Sequence, residues 1–208
     1  MATNPYAQGG WFNPENPNSL NNGPWTPASP PQPSLFGALP YAGAGIDADP
    51  TTMRFVFNFN STVLNSSVVG PRDREYFTIM HNTPNRNNTL FRDADGRSIA
   101  LIDWNGMPKV EIHALLQRQN ASSWLTLSAD RRQRTMNARG KWYAWVPEGN
   151  SVTLYEATYA STPPRPVGKI TRAGQSLYLD LTAKAIQVGL LEYCVVATVL
   201  FQSGKDID

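Results

Sequence analysis

The longest apolar run of the chain, residues 183–201 (AKAIQVGLLEYCVVATVLF), constrains everything that precedes it. Nineteen residues are too many for an ordinary strand and give a helix about 28 Å long. Thr182 stands where an N-cap is needed and Gly204 where a helix would stop, so the run predicts one continuous helix over about 183–203. On a helical wheel Lys184, Gln187, Thr198 and Gln202 fall in one narrow wedge. Between Val188 and Leu200 the other positions are apolar except for Glu192 and Tyr193. A helix that is apolar all round is buried in a protein core or in a membrane. Lys184, Gln187 and Glu192 argue against the membrane, because Glu192 would sit near mid-bilayer at a cost of several kcal/mol. The reading is a core helix, with no transmembrane span and with Glu192 in need of a partner or of neutralisation.

A helix buried on all sides needs walls, and residues 50–182 read as strands. In MRFVFNFN, residues 53–60, Phe55, Phe57 and Phe59 share one face by period-two alternation. Residues 75–80 form another strand, and 89–103 form a hairpin turning at Asp95-Gly96. Strands follow at 109–116, 123–127, 134–137, 141–146, 152–158, 167–171 and 176–181. Short strands with turn signals every 8–12 residues suggest an antiparallel barrel or sandwich. A closed barrel also gives the last helix a lumen. The expected fold is mainly β: an antiparallel barrel of about ten to twelve strands enclosing the C-terminal helix, within a domain spanning 49–208.

Residues 1–48 differ in kind. They hold Glu15 and Asp47 but none of the 18 Lys and Arg residues, and are rich in Asn, Pro and Gly. Such a segment cannot build a core and reads as a disordered or extended arm. Within it Pro24, Pro27, Pro30 and Pro33 recur every third residue, the repeat of a polyproline II helix. This edge suits either a stiff spacer or the docking of a Pro-binding protein module. Residues beyond the arm carry 18 basic against 14 acidic groups, too mild an excess for a dedicated nucleic-acid binder.

Five cations crowd into eleven residues: Arg131, Arg132, Arg134, Arg139 and Lys141, with Trp142 and Trp145 alongside. Cations beside interfacial aromatics suit an anionic membrane surface, and Arg grips phosphate bidentately. The same composition serves single-stranded nucleic acid or an ordinary solvated hairpin. His81 and His113 lack the spacing of a metal pair, and Cys194 lies inside the apolar run as an inert thiol. Asp93 and Asp95 belong to a turn rather than to a calcium loop, which would need more ligands. No nucleophile elbow, phosphate-cradling loop or zinc motif appears. Neither an enzyme nor a cofactor is expected. No apolar run follows Met1, so no secretory signal is read and an intracellular location, cytoplasmic or peripheral to a membrane, is expected.

Three segments resemble a known family: FRDADGRSIALIDW (91–104), RTMNARGKWYAWVPEGNSVTLYEA (134–157), and PVGKITRAGQSLYLDL (166–181) with GLLEYCVVATVLFQ (189–202). They resemble a fungal domain family of unknown function whose members are similar to the tubby C-terminal, LURP-one-related and phospholipid-scramblase barrels. The resemblance spans roughly 50–205 and implies a β-barrel around a hydrophobic C-terminal helix. Tubby-like relatives bind phosphoinositide headgroups, and scramblase relatives associate with membranes and carry a Pro-rich N-terminal arm. Scramblase-type calcium ligands are not matched, since LDLTAKAIQ (179–187) offers only Asp180. Together these readings point to a noncatalytic module for anionic phospholipid headgroups, touching them through residues 131–141. The alternative is a protein-interaction scaffold working through the Pro-rich arm.

Overall fold

The computed structural model describes residues 52–82, 87–157 and 165–208, all within the compact unit Ile46–Asp208. The arm, with Pro24, Pro27, Pro30 and Pro33, lies outside the described residues. A first run of strands comprises β1 (Thr52–Phe59), β2 (Ser66–Val69), β3 (Glu75–Asn82), β4 (Asn88–Asp93), β5 (Ser98–Asp103), β6 (Lys109–Ile112) and β7 (Leu116–Asn120). A short helix α1 (Ala121–Trp124) leads to β8 (Thr126–Leu127), β9 (Arg134–Ala138), β10 (Lys141–Glu148), β11 (Ser151–Glu156), β12 (Pro166–Ala173) and β13 (Ser176–Thr182). The chain then enters α2 (Ala183–Gln187) and α3 (Leu191–Gln202).

All thirteen strands form one antiparallel sheet in which each strand of either run lies beside its chain neighbour. The two runs join where β1 pairs with β13, setting Phe55 opposite Leu179 and Phe57 opposite Leu177. The sheet therefore begins at β7 and ends at β8. Laid flat, thirteen strands would hold these edges about 58 Å apart. Residues 121–125 connect them, a reach of about 20 Å. The sheet must curl until its edges approach, with α1 bridging the seam.

Period-two alternation supplies the inner wall. Leu177, Leu179 and Leu181 of β13 are buried while Tyr178 and Asp180 are half-exposed. Phe77 and Ile79, Phe91, Ala100 and Ile102 continue the same face, and Phe55 and Phe57 join it while Phe59 is partly buried. α3 packs in the same core as these residues, with nine of its twelve residues buried. Thr198 avoids an orphaned hydroxyl by donating to the Cys194 carbonyl at 2.7 Å. Tyr193 donates to the Leu115 carbonyl at 2.9 Å, fastening the helix to the β6–β7 turn.

Several expectations are corrected. The apolar run is two helices, not one. Thr182 caps the first, accepting the Ala185 amide at 3.2 Å, but Gly189 takes φ +79 and breaks the run after Val188. Glu192 consequently lies in the first turn of α3, half-buried, where a helix N-terminus favours a carboxylate. The strand expected at 109–116 turns back at Ala114, which adopts φ +60, and becomes β6 and β7. The one expected at 123–127 is α1 followed by a two-residue strand. With β2 added the strand count rises to thirteen, and no ladder closes β7 onto β8.

Candidate functional site

Strand direction divides the described structure into two ends. At the hairpin end lie the β9–β10 turn, α2 and the first turn of α3. At the tail end lie the β8–β9 loop and residues 203–208. The five basic residues do not form one patch, because the extended strand β9 separates them by about 17 Å. Arg131, Arg132 and Arg134 fall at the tail end; Arg139 and Lys141 fall at the hairpin end.

Arg134 is committed to structure. It donates to the Leu125 carbonyl at 2.8 Å and grips Asp208 through two bonds, 3.0 and 2.5 Å. The bond from Arg134 holds the Asp208 carboxyl below its ordinary value. Ile207 is buried beside it. Lys205 reaches the opposite run of strands, donating to Asn87 at 3.2 Å with its ammonium 4.8 Å from the centre of the Trp104 ring. The tail is thus a brace between the two halves of the sheet. Arg131 and Arg132 remain exposed on the neighbouring loop.

The hairpin end is arranged differently. Arg139 and Gly140 form the two-residue turn, with φ +53 and +75 as a type I′ turn requires. The Arg139 guanidinium lies against Gly189, where a Cβ would stand 3.2 Å from Nη2. Lys141 bonds Glu156 at 2.8 Å, and Lys184 approaches the same carboxylate at 3.6 Å. The bond from Lys141 leads in holding the Glu156 carboxyl low. Trp142 is 54% exposed, whereas Trp145 is buried edge-on against Phe201. Three residues apart on a strand, the two rings point to opposite faces.

Beside the turn a cleft of about 410 Å³ opens over the seam, lined by Leu116 and Gln119 of β7, Trp124 of α1, and Asn137, Arg139 and Trp142. Arg139 is the one charged side chain among its described lining residues. A second, shallower groove of about 640 Å³ crosses β1, β2 and β3 and is lined by uncharged residues such as Asn58, Asn65, Ser67 and Thr78.

Residues 60–205 match the model of a family described as a family of unknown function (DUF6593). The chain belongs to the DUF6593 family. No curated protein matches its sequence. A solved structure of a protein from Arabidopsis thaliana is similar at 10% identity over 73% of this chain and 93% of that one, with a TM-score of 0.43.

In this DUF6593 domain the remaining sequence candidates have local partners. His113 Nδ1 lies 2.8 Å from the Ser98 carbonyl, and His81 Nδ1 lies 3.0 Å from Thr89 Oγ1, which also accepts from Trp104 at 2.9 Å. Burial, then Lys205, lowers the His81 pKa. Burial pushes the Cys194 thiol up, out of nucleophile range. Asp93 accepts the amides of Asp95 and Arg97 and pairs with the Arg97 guanidinium at 2.9 Å, as a hairpin turn uses it. Among the described residues no helix is long and apolar enough to cross a membrane, and no group of three His, Cys, Asp or Glu residues could hold a metal. Sequence reasoning missed the parts that the seam brings to Arg139: Gln119, Trp124 and Asn137. Only Asn137 is near it in sequence.

Proposed function

We propose that this DUF6593 domain is a noncatalytic binding module whose hairpin end meets an anionic phospholipid surface on the cytoplasmic side of a membrane. One observation carries the reading. Of the four exposed large apolar side chains among the described residues, Met53, Trp142 and Val188 stand at the hairpin end and only Met107 at the other. Arg139 emerges at that same end, beside Lys184, which lies 3.6 Å from Glu156. An indole suits the headgroup layer, the apolar pair gains by leaving water, and each cation near an anionic surface contributes about 1 kcal/mol. A guanidinium also matches phosphate oxygens, so phosphoinositide headgroups are the proposed ligand. The curled sheet with α3 inside supports, as part of this reading, a tubby-like barrel whose wall stays rigid while one end binds.

The test is co-flotation of the full chain with neutral and with phosphoinositide-containing liposomes at low and high salt. Salt-sensitive binding to the anionic set is expected, weakened by Arg139→Gln and Trp142→Ala and unchanged by Arg131→Gln with Arg132→Gln. Wild-type protein that ignores anionic vesicles at low salt overturns the proposal. The alternative, docking through Pro24, Pro27, Pro30 and Pro33, falls on residues outside those described.

A further inference from the structure

The seam leaves backbone groups without a ladder. β8 pairs with Thr135 and Arg134 of β9, so among the described residues Met136, Asn137 and Ala138 have a paired strand on one side alone, β10. The two-residue turn makes Ala138 and Lys141 a hydrogen-bonded pair, and alternation along the strand then points the Asn137 amide and carbonyl away from β10. No bond reaches them among the described residues. Across the cleft β7 pairs with β6 and, among the described residues, has no strand on its outer edge. Both edges line the same cleft of about 410 Å³, and its wall includes Trp124, whose buried indole N–H has no acceptor among the described residues.

We propose that this cleft receives an extended peptide of a partner protein, which adds to the free edge of β9 as a short strand and presents an acidic side chain to Arg139. An edge whose amide and carbonyl face a slot is complementary to another backbone. The charge follows from the lining, where Arg139 is the only charged described residue and no carboxylate competes for it. The exposed Trp142 ring offers a platform for an apolar side chain of the peptide. The free stretch of β9 is about 10 Å, enough for three strand residues. This surface goes beyond the lipid reading and employs the seam rather than the whole hairpin end.

A display library of random octapeptides panned against the full chain tests it. Enriched sequences should contain Asp or Glu within an alternating extended pattern. For the strongest synthetic peptide, Arg139→Gln should weaken binding about tenfold, the size of one lost charge-assisted contact. N-methylation at alternate peptide amides should weaken binding similarly, while methylation at the intervening amides leaves it within about twofold. The peptide should also slow hydrogen exchange of the Asn137 amide. No enriched sequence, or binding indifferent to both changes, overturns the proposal. So does protection of Asn137 by anionic vesicles but by no peptide, since the cleft would then belong to the membrane contact.

Discussion

The two ends of this sheet draw on similar residues and use them differently. At the tail end Arg134, Lys205 and Asp208 are tied into one brace, and Ile207 is buried under it. At the hairpin end Lys141 and Lys184 share Glu156, while Arg139, Trp142 and Val188 face outward. A cation counted in sequence says nothing of whether its charge is already answered. Burial and pairing decide that, and here they separate a structural end from an available one.

The most severe way to break this contrast is to remove what both ends share. Val196→Asp puts an uncompensated charge on a fully buried face of α3 and should cost about 4 kcal/mol or more, melting both ends together. A denaturant curve close to wild type would contradict the enclosed helix. Gly189→Ala acts on the hairpin end alone. At φ +79 a Cβ costs about 1–2 kcal/mol, and it displaces Arg139, so chemical denaturation and vesicle binding should both weaken. Arg134→Gln acts on the tail end, costing about 1 kcal/mol after discounting for the exposure of Asp208, with vesicle binding unchanged.

Acid sharpens the comparison with a smaller effect. Asp208, held low chiefly by Arg134, and Glu156, held low chiefly by Lys141, both have folded pKa values below their unfolded ones. Their contributions are complete above the unfolded values, about pH 4, and fade as pH falls through the lowered folded values. Asp208→Asn should flatten part of that decline in a melting-temperature series between pH 5 and pH 2. Trp142→Ala is expected to leave thermal stability almost unmoved and to lower vesicle binding severalfold. A large stability loss would mean that this indole belongs to the core.

Much of the wall was legible because alternation is a local signal. Phe55 and Phe57, and the leucines of β13, declare their faces within eight residues. The Asp95-Gly96 turn was equally plain. β2, Ser66–Val69, was too short and too polar to show a period. Hydrophobicity masked the break at Gly189, although a glycine inside a helical pattern was itself the available warning. The basic stretch divides between the two ends of the sheet for a geometric reason: neighbours along a strand move apart by about 3.4 Å per residue, so residues on either side of β9 are held apart. Trp142 and Trp145 could have been assigned to opposite faces from their odd spacing. The seam was beyond reach, since it joins β7 to β9 only after the whole sheet has curled.

The position of α3 also bears on how the chain comes into being. Synthesis delivers thirteen strands before the twelve residues around which they pack, and β1 must wait for β13, with Arg54 meeting Asp180 across 126 positions. Such distant pairings slow folding and leave apolar faces open in the meantime. A nascent chain stalled before Leu191 should therefore hold a sheet without a centre, and is the species on which a chaperone would act.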